Sequence, residues 1–146
     1  MRHREVETEA EYLARMETGN DWREEIETLA DREAVDAGWF AAMGAVRAAE
    51  LWFYDQREKE YHAVEFDEPL EVAACVGNVS LLDGERFAHT HAVLSRENGQ
   101  SLAGHLDSAR VFAGEVYLRE FAEPSERAHD ERTDLDLWLN DDPDTE

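Results

Sequence analysis

This chain of 146 residues has one cysteine and no long apolar run, and Lys59 is its single lysine. Each scarcity closes off a class of protein. A lone Cys75 cannot build an internal disulfide framework, and it suits a reducing cytoplasm. No hydrophobic stretch approaches the ~20 residues that a membrane-spanning helix needs. The opening Met1-Arg2-His3-Arg4-Glu5 has basic residues with no apolar stretch behind them, so no secretory signal is expected and the expected location is cytoplasmic. There is no Gly-x-Ser-x-Gly elbow, no phosphate-cradling glycine loop and no paired-cysteine zinc motif. Nor is there a block of basic residues or an Arg-Gly-Arg-Pro minor-groove hook.

What is present in excess is negative charge. Thirty-six acids face fourteen bases, a net of −22. Self-repulsion at that charge destabilises a compact state in dilute buffer, and strong salt screens most of it. Carboxylates also hold water where water is scarce. The acids are spread along the chain rather than blocked, which favours adaptation to a high-salt cytoplasm over docking of a basic partner protein. Direct DNA binding is disfavoured, because it relies on Lys and Arg releasing counterions from phosphates. Hydrophobic residues still make up 42% of the chain, enough for one domain with its own core.

Residues 1–11 are expected to form a mobile acidic N-terminus, residues 12–122 the folded domain and residues 123–146 an acidic C-terminal tail. Tyr12 to Met16 reads as a short strand ended by Thr18-Gly19-Asn20-Asp21. Asn20 or Asp21 can cap a helix, with Glu24 and Glu25 favourable in its first turn. Trp22, Ile26, Leu29 and Ala30 follow at helical spacing, so a helix is expected from Asp21 to about Asp36, with Gly38 as its stop. Trp39 to Tyr54 is divided: its alanines favour helix, while its aromatics and Gly44 favour a buried strand, and we read it as strand. Tyr61 to Phe66 alternates. Leu70 to Val76 is a buried run that should break at Gly77-Asn78 and resume from Val79 to Leu82, before the turn Asp83-Gly84. Phe87 to Ser95 and Ser101 to Asp107 flank Glu97-Asn98-Gly99, and Val111 to Phe121 closes the series. The expected fold class is α+β, an antiparallel β-sheet with one principal α-helix packed on it. The tail has ten acids and two arginines and should be mostly solvated. Leu135, Leu137, Trp138 and Leu139 form one apolar island in it, able to dock on the domain or on a neighbour.

The chemistry-bearing residues are His89, His91 and His105. On a strand His89 and His91 share a face, about 7 Å apart at Cα. A two-residue Asn98-Gly99 loop would put Ala92 opposite His105 and turn His105 away. A three-residue loop, Glu97-Asn98-Gly99 with Gly99 left-handed, puts His91 opposite His105 and His89 opposite Asp107. Only the second register gathers three imidazoles and one carboxylate on one face. Neutral imidazoles so placed suit Zn²⁺, with Ni²⁺, Co²⁺ or Cu²⁺ able to compete. Asp107 would be a fourth ligand or an acceptor that fixes a histidine tautomer. Against this stands the plainer possibility of polar residues on a wet face or at a subunit contact. His3, His62 and His129 are given no role, Cys75 is read as core, and Trp52, Phe53 and Tyr54 as core or interface.

Taken in order, several stretches resemble the PPC (plants and prokaryotes conserved) domain family. They are Ala37 to Val46, Glu71-Val72 to Gly77-Asn78-Val79-Ser80, and Asp83-Gly84 through His89-Thr90-His91, with Gly104-His105-Leu106 and Gly114-Glu115-Val116 completing the series. The resemblance covers roughly Tyr12 to Phe121. It implies a homotrimer of α+β subunits in which His89, His91 and His105 carry a metal. Members are commonly described as candidate DNA-binding proteins, and plant relatives join this domain to AT-hooks that this chain lacks. The expected function is a DNA-associated or regulatory trimeric module with a three-histidine metal site. A metal-dependent hydrolase or lyase and a small-molecule sensor stand as alternatives, and a non-catalytic role is preferred. A cupin is a weaker match, since Gly84, His89, His91, Glu97 and Gly104 depart from its spacings.

The charge excess makes a direct forecast. The melting temperature should rise by at least ~10 °C between 0.1 M and 3 M KCl, followed by circular dichroism. A flat or falling profile would remove the salt-adaptation reading.

Overall fold

The computed structural model describes residues 1–138. Asp21 is in an extended conformation, and its Oδ1 accepts from the backbone N–H groups of Arg23 (3.0 Å) and Glu24 (3.1 Å). These bonds cap helix α1, Trp22–Glu33. The helix ends at Ala34, whose left-handed φ of 59° turns its N–H back to the carbonyls of Ala30 and Asp31. Gly38, the expected stop, instead opens the next strand. Arg86 braces the exit by donating to the Val35 carbonyl and pairing with Asp31 and Asp36. Trp22, Ile26 and Ala30 form the buried stripe of the helix.

The strands are β1 (Thr8–Met16), β2 (Gly38–Asp55), β3 (Glu60–Phe66), β4 (Leu70–Leu82), β5 (Glu85–Ser95), β6 (Ser101–Phe121), β7 (Arg127–Asp130) and β8 (Leu135–Trp138). The main sheet has the order β1-β6-β5-β4-β2-β3 with every ladder antiparallel. A further antiparallel pairing of β6 with β2 closes β2, β4, β5 and β6 into a ring. Its inner face holds Phe40, Val46, Val79, Leu94, Leu106, Val111 and Leu118, packed with Trp22 and Ile26 of α1. The α+β class expected from the sequence is the one observed, and Trp39 to Tyr54 is strand.

Four expectations need correction. The first strand starts at Thr8, so part of the supposed mobile N-terminus is paired with β6. β4 runs unbroken through Gly77-Asn78. A side chain at Gly77 would collide with the Phe40 ring and the His89 carbonyl, so this glycine permits close packing within a strand rather than ending one. β6 is a single strand where two were expected. Its buried positions run Leu106, Ala109, Val111, Gly114 and Val116, so the alternation slips twice and mimics a break. Lastly, the tail is not wholly solvated. β7 and β8 pair with each other, and the Leu81 N–H donating to the Ser125 carbonyl (2.8 Å) ties the segment just before them to β4. Leu139 lies outside the described residues.

The ladder between β5 and β6 stops at the His91–His105 pair, after which β6 leaves β5 for β1 and β2. Helix α1 lies across the gap and satisfies the freed donors. Asp21 Oδ2 accepts from the Ala109 N–H at 2.8 Å, and Glu27 Oε1 accepts from the Ala88 N–H at 3.1 Å. Asp21 thus both caps the helix and pins it to β6. Asp21→Ala should therefore cost about 2–3 kcal/mol in urea unfolding, and Asp21→Asn distinctly less. Equal losses from the two variants would contradict the capping role.

Candidate metal centre

The turn after β5 decides the site. Gly99 has a φ of 80°, its N–H donates to the Arg96 carbonyl (2.8 Å), and the Arg96 N–H donates to the Gln100 carbonyl (3.0 Å). This is the three-residue loop, and it sets His91 opposite His105. Along β5, Ala88, Thr90, Ala92 and Leu94 point into the core, so His89 and His91 stand on the outer face. His105 is paired with His91 on one side and with Trp52 of β2 on the other. The ring centroids are 5.1 Å (His89–His91), 5.2 Å (His89–His105) and 5.5 Å (His91–His105) apart. One ring nitrogen from each lies within 4.8 Å of the other two, close enough to share an ion.

The surroundings keep these rings neutral. Burial first, then the positive charge of Arg127, pushes His89 down to about 3. Burial, then the neighbouring His91 and the arginines Arg23 and Arg127, takes His105 to about 4. His91 is lowered by burial. A neutral imidazole keeps the lone pair that a metal needs, whereas a protonated one has none. His105 Nδ1 is buried without a hydrogen-bond partner, an orphaned atom of the kind that an ion would satisfy. The donor set and this orphan together fit a divalent transition metal.

The triad forms part of the wall of a cavity of ≈ 630 Å³. Trp52 and Tyr61 stand beside His105, with centroids 6.1 and 5.6 Å from its ring, and Leu135 and Leu137 of β8 also line the space. Asp107 shares the cavity but does not join the histidine cluster. The expected His89–Asp107 pair does not form, because β6 has already left β5; the partner of His89 is Asn78 of β4. Burial raises the Asp107 carboxyl above its ordinary range, and its backbone carbonyl accepts from Arg23 Nε at 3.0 Å. Cys75 is buried, with its thiol pushed up to about 11 by burial, which fits a core residue. His129 lies between Asp134 and Asp136, away from the triad cluster.

Sequence reasoning missed two arginines. Arg23 of α1 and Arg127 of β7 both line the cavity, their Cζ atoms 5.6 and 5.5 Å from the centre of the Phe87 ring. Arg23 shows no signal of its own beside the expected helix cap. Arg127 did have one, as one of only two bases in a tail of ten acids. Trp52 and Tyr54 were assigned to core or interface, yet they face the cavity.

A ring of antiparallel strands braced by one helix, with three converging histidines on its outer face, defines a small α+β class. Residues 3–122 match the Plants and Prokaryotes Conserved (PCC) domain, the family abbreviated PPC above, and the chain belongs to it. It is similar to a metal-containing protein of Archaeoglobus fulgidus, with 41% identity and a TM-score of 0.91 over 95% of this chain and 99% of that one. A plant- and prokaryote-conserved (PPC) protein of Pyrococcus horikoshii is 29% identical, with a TM-score of 0.88 over 94% of this chain and 96% of its own. A Bacteroides thetaiotaomicron protein, provisionally described as DNA-binding, shares the fold at 22% identity and a TM-score of 0.83, over 91% of this chain and 96% of that one. A comparison with curated proteins returned no match.

The lowered histidines make stability depend on pH in a stated direction. An unfolded imidazole titrates near 6.5, while His89 and His105 in the fold titrate at about 3 and about 4. Between those values the unfolded chain binds more protons, by about one per histidine, so acid favours unfolding. This contribution to stability is whole above pH ~6.5 and is lost as the pH falls towards the folded values. The melting temperature of chelator-stripped protein should fall from pH 7 to pH 4.5, and less steeply in a His89→Gln/His105→Gln double variant. Parallel curves would show that these rings titrate in the fold as they do in the unfolded chain.

Proposed function

We propose that the chain is a regulatory PPC-domain module that holds a divalent metal, zinc in the first place, on His89, His91 and His105, and that it works as a homotrimer. The observation that carries this reading is the convergence of three neutral imidazole nitrogens within 4.8 Å, with His105 Nδ1 unpartnered. When bound, the ion supplies Lewis acidity and a crosslink at the point where β5 and β6 part. The histidines hold it, and Asp107 remains the candidate for an acceptor outside the cluster. The metal-containing relative from Archaeoglobus supports the assignment.

Self-association is supported by an apolar outer face. Leu13 is 87% exposed and Met43 59%, and with Val76 they line one groove across β1, β2 and β4. Such a patch is ordinarily covered by a protein partner, and a second and third copy are the occupants proposed. The DNA-binding description of relatives extends to this chain in a modified form. With a net charge of −22, the association with DNA proceeds through a partner protein rather than direct phosphate contact.

One observation favours a second reading, that of a metal-dependent hydrolase or lyase. The triad opens on a cavity instead of being enclosed, which leaves room for a reactant beside the ion. Metal content by mass spectrometry, on protein purified in high salt without chelators, tests the site. About one zinc per chain is expected, lost in His91→Ala. No metal in either protein would overturn the assignment. Sedimentation of the same preparations should give a trimer, and a monomer would remove that part.

A further inference from the structure

We infer that the cavity over the triad is a receptor for a small organic acid, with Arg127 as the counter-charge of its carboxylate. The inference builds on the metal reading, since a divalent ion adds positive charge to the same space, but it rests on separate observations.

Arg127 is anomalous in a chain of net charge −22. Its Nε donates to Ser80 Oγ at 2.8 Å, its Nη2 to Asn78 Oδ1 at 2.7 Å and its Nη1 to the Asp136 carbonyl at 2.8 Å. All three acceptors are neutral. Arg4, Arg23, Arg86, Arg96 and Arg119 each pair with a carboxylate, yet among the described residues none lies in ion-pair range of Arg127. The nearby Asp134 and Asp136 carboxylates are turned towards His129, at 3.3 and 3.6 Å. A partly buried cation is ordinarily paired. Here the fold has anchored one through neutral acceptors and, among the described residues, answers its charge only at longer range, from Asp136.

Its placement says where the missing anion belongs. Asn78 is the cross-strand partner of His89 and Ser80 that of Phe87, so the bonds to Asn78 and Ser80 bring the guanidinium alongside the histidine row. Arg23 also lies over the Phe87 ring and lines the same cavity, with Nε donating to the Asp107 carbonyl and Nη1 to Glu27. A guanidinium has five N–H donors, and Arg127 uses three. Both arginines and the triad line one space. One carboxylate oxygen can meet Arg127 while the other faces the triad, a charge-assisted contact that a neutral group cannot reproduce.

The remaining walls define the rest of the ligand. Trp52, Tyr61, Leu135 and Leu137 offer aromatic and aliphatic surface, Asp107, Asp134 and Asp136 confine an anion to the arginine side, and ≈ 630 Å³ holds more than a bare oxyanion. The fit is to a carboxylic acid with an aromatic or branched aliphatic body. Inorganic phosphate would answer the arginine and leave these walls wet.

The test uses the full chain loaded with Co²⁺, whose visible spectrum reports ligands at the metal, titrated with benzoate, acetate, inorganic phosphate and the neutral isostere benzamide. Benzoate should bind at least ~10-fold more tightly than the other three. Arg127→Gln should lose at least ~10-fold in benzoate affinity while still taking up Co²⁺ and losing no more than ~2-fold in benzamide affinity, and Arg127→Lys should recover most of the benzoate affinity. Benzamide binding as tightly as benzoate in the native protein would overturn the proposal without recourse to a variant. So would tighter binding of phosphate, an unaltered affinity in Arg127→Gln, or no saturable binding. If the protein takes up no Co²⁺, the metal reading fails by itself. Calorimetric titration of benzoate and benzamide into the metal-free chain then decides the anion claim by the same comparison.

Discussion

The structure depends on one backbone register. The Glu97-Asn98-Gly99 turn, with Gly99 left-handed, sets His91 against His105 and no other residue. A slip by one position would carry His105 to the core face and Leu106 to the outside, exchanging a histidine of the triad for a buried core residue. The burial of Leu94 and Leu106 therefore enforces the same alignment that the turn chemistry selects. The ladder then ends at that pair, so the histidines stand where two strands begin to part.

That parting organises the rest of the molecule. β6 needs new partners beyond His105, and it finds them in β1 and β2, closing the ring. The N–H groups left open by the split need acceptors, and Asp21 and Glu27 of α1 provide them. Helix, ring and histidine cluster are thus joined through a few bonds around one gap. The same helix carries Arg23 to the cavity edge, so the element that seals the fold also shapes the site.

The charge of the chain has two scales. Across the surface the acids dominate, which suits a salty solvent and disfavours direct contact with phosphates. At the cavity, Arg23 and Arg127 set two positive charges among Asp107, Asp134 and Asp136, so positive charge is concentrated beside the neutral imidazoles rather than spread over the whole space. An anionic ligand repelled by the body of the protein would meet attraction on the arginine side of the triad, away from the aspartates of the same cavity. Family membership supports a metal at the triad, while the cavity is what speaks for a bound small molecule.

Much of the fold and the triad was legible because it rests on local patterns. Helical spacing from Trp22 to Ala30, a capping Asp21, alternation in the strands and a Glu-Asn-Gly turn are readable within a few residues. They were enough to assign the class and to place His89, His91 and His105 together. The errors arose where remote partners override local preference. Gly77 looked like a strand break because its packing against Phe40 is invisible in sequence, and the slipped alternation in β6 looked like two strands. Asp107 was matched to His89 by extending a ladder that the tertiary split cuts short. Arg127, ~20 residues beyond His105, reaches the site only because β7 docks on β4. The sequence by itself determined the elements and the donor set, since periodicity and turn chemistry are local. Only the tertiary structure decided the cavity and its counter-charge, because both depend on contacts between segments far apart in the chain.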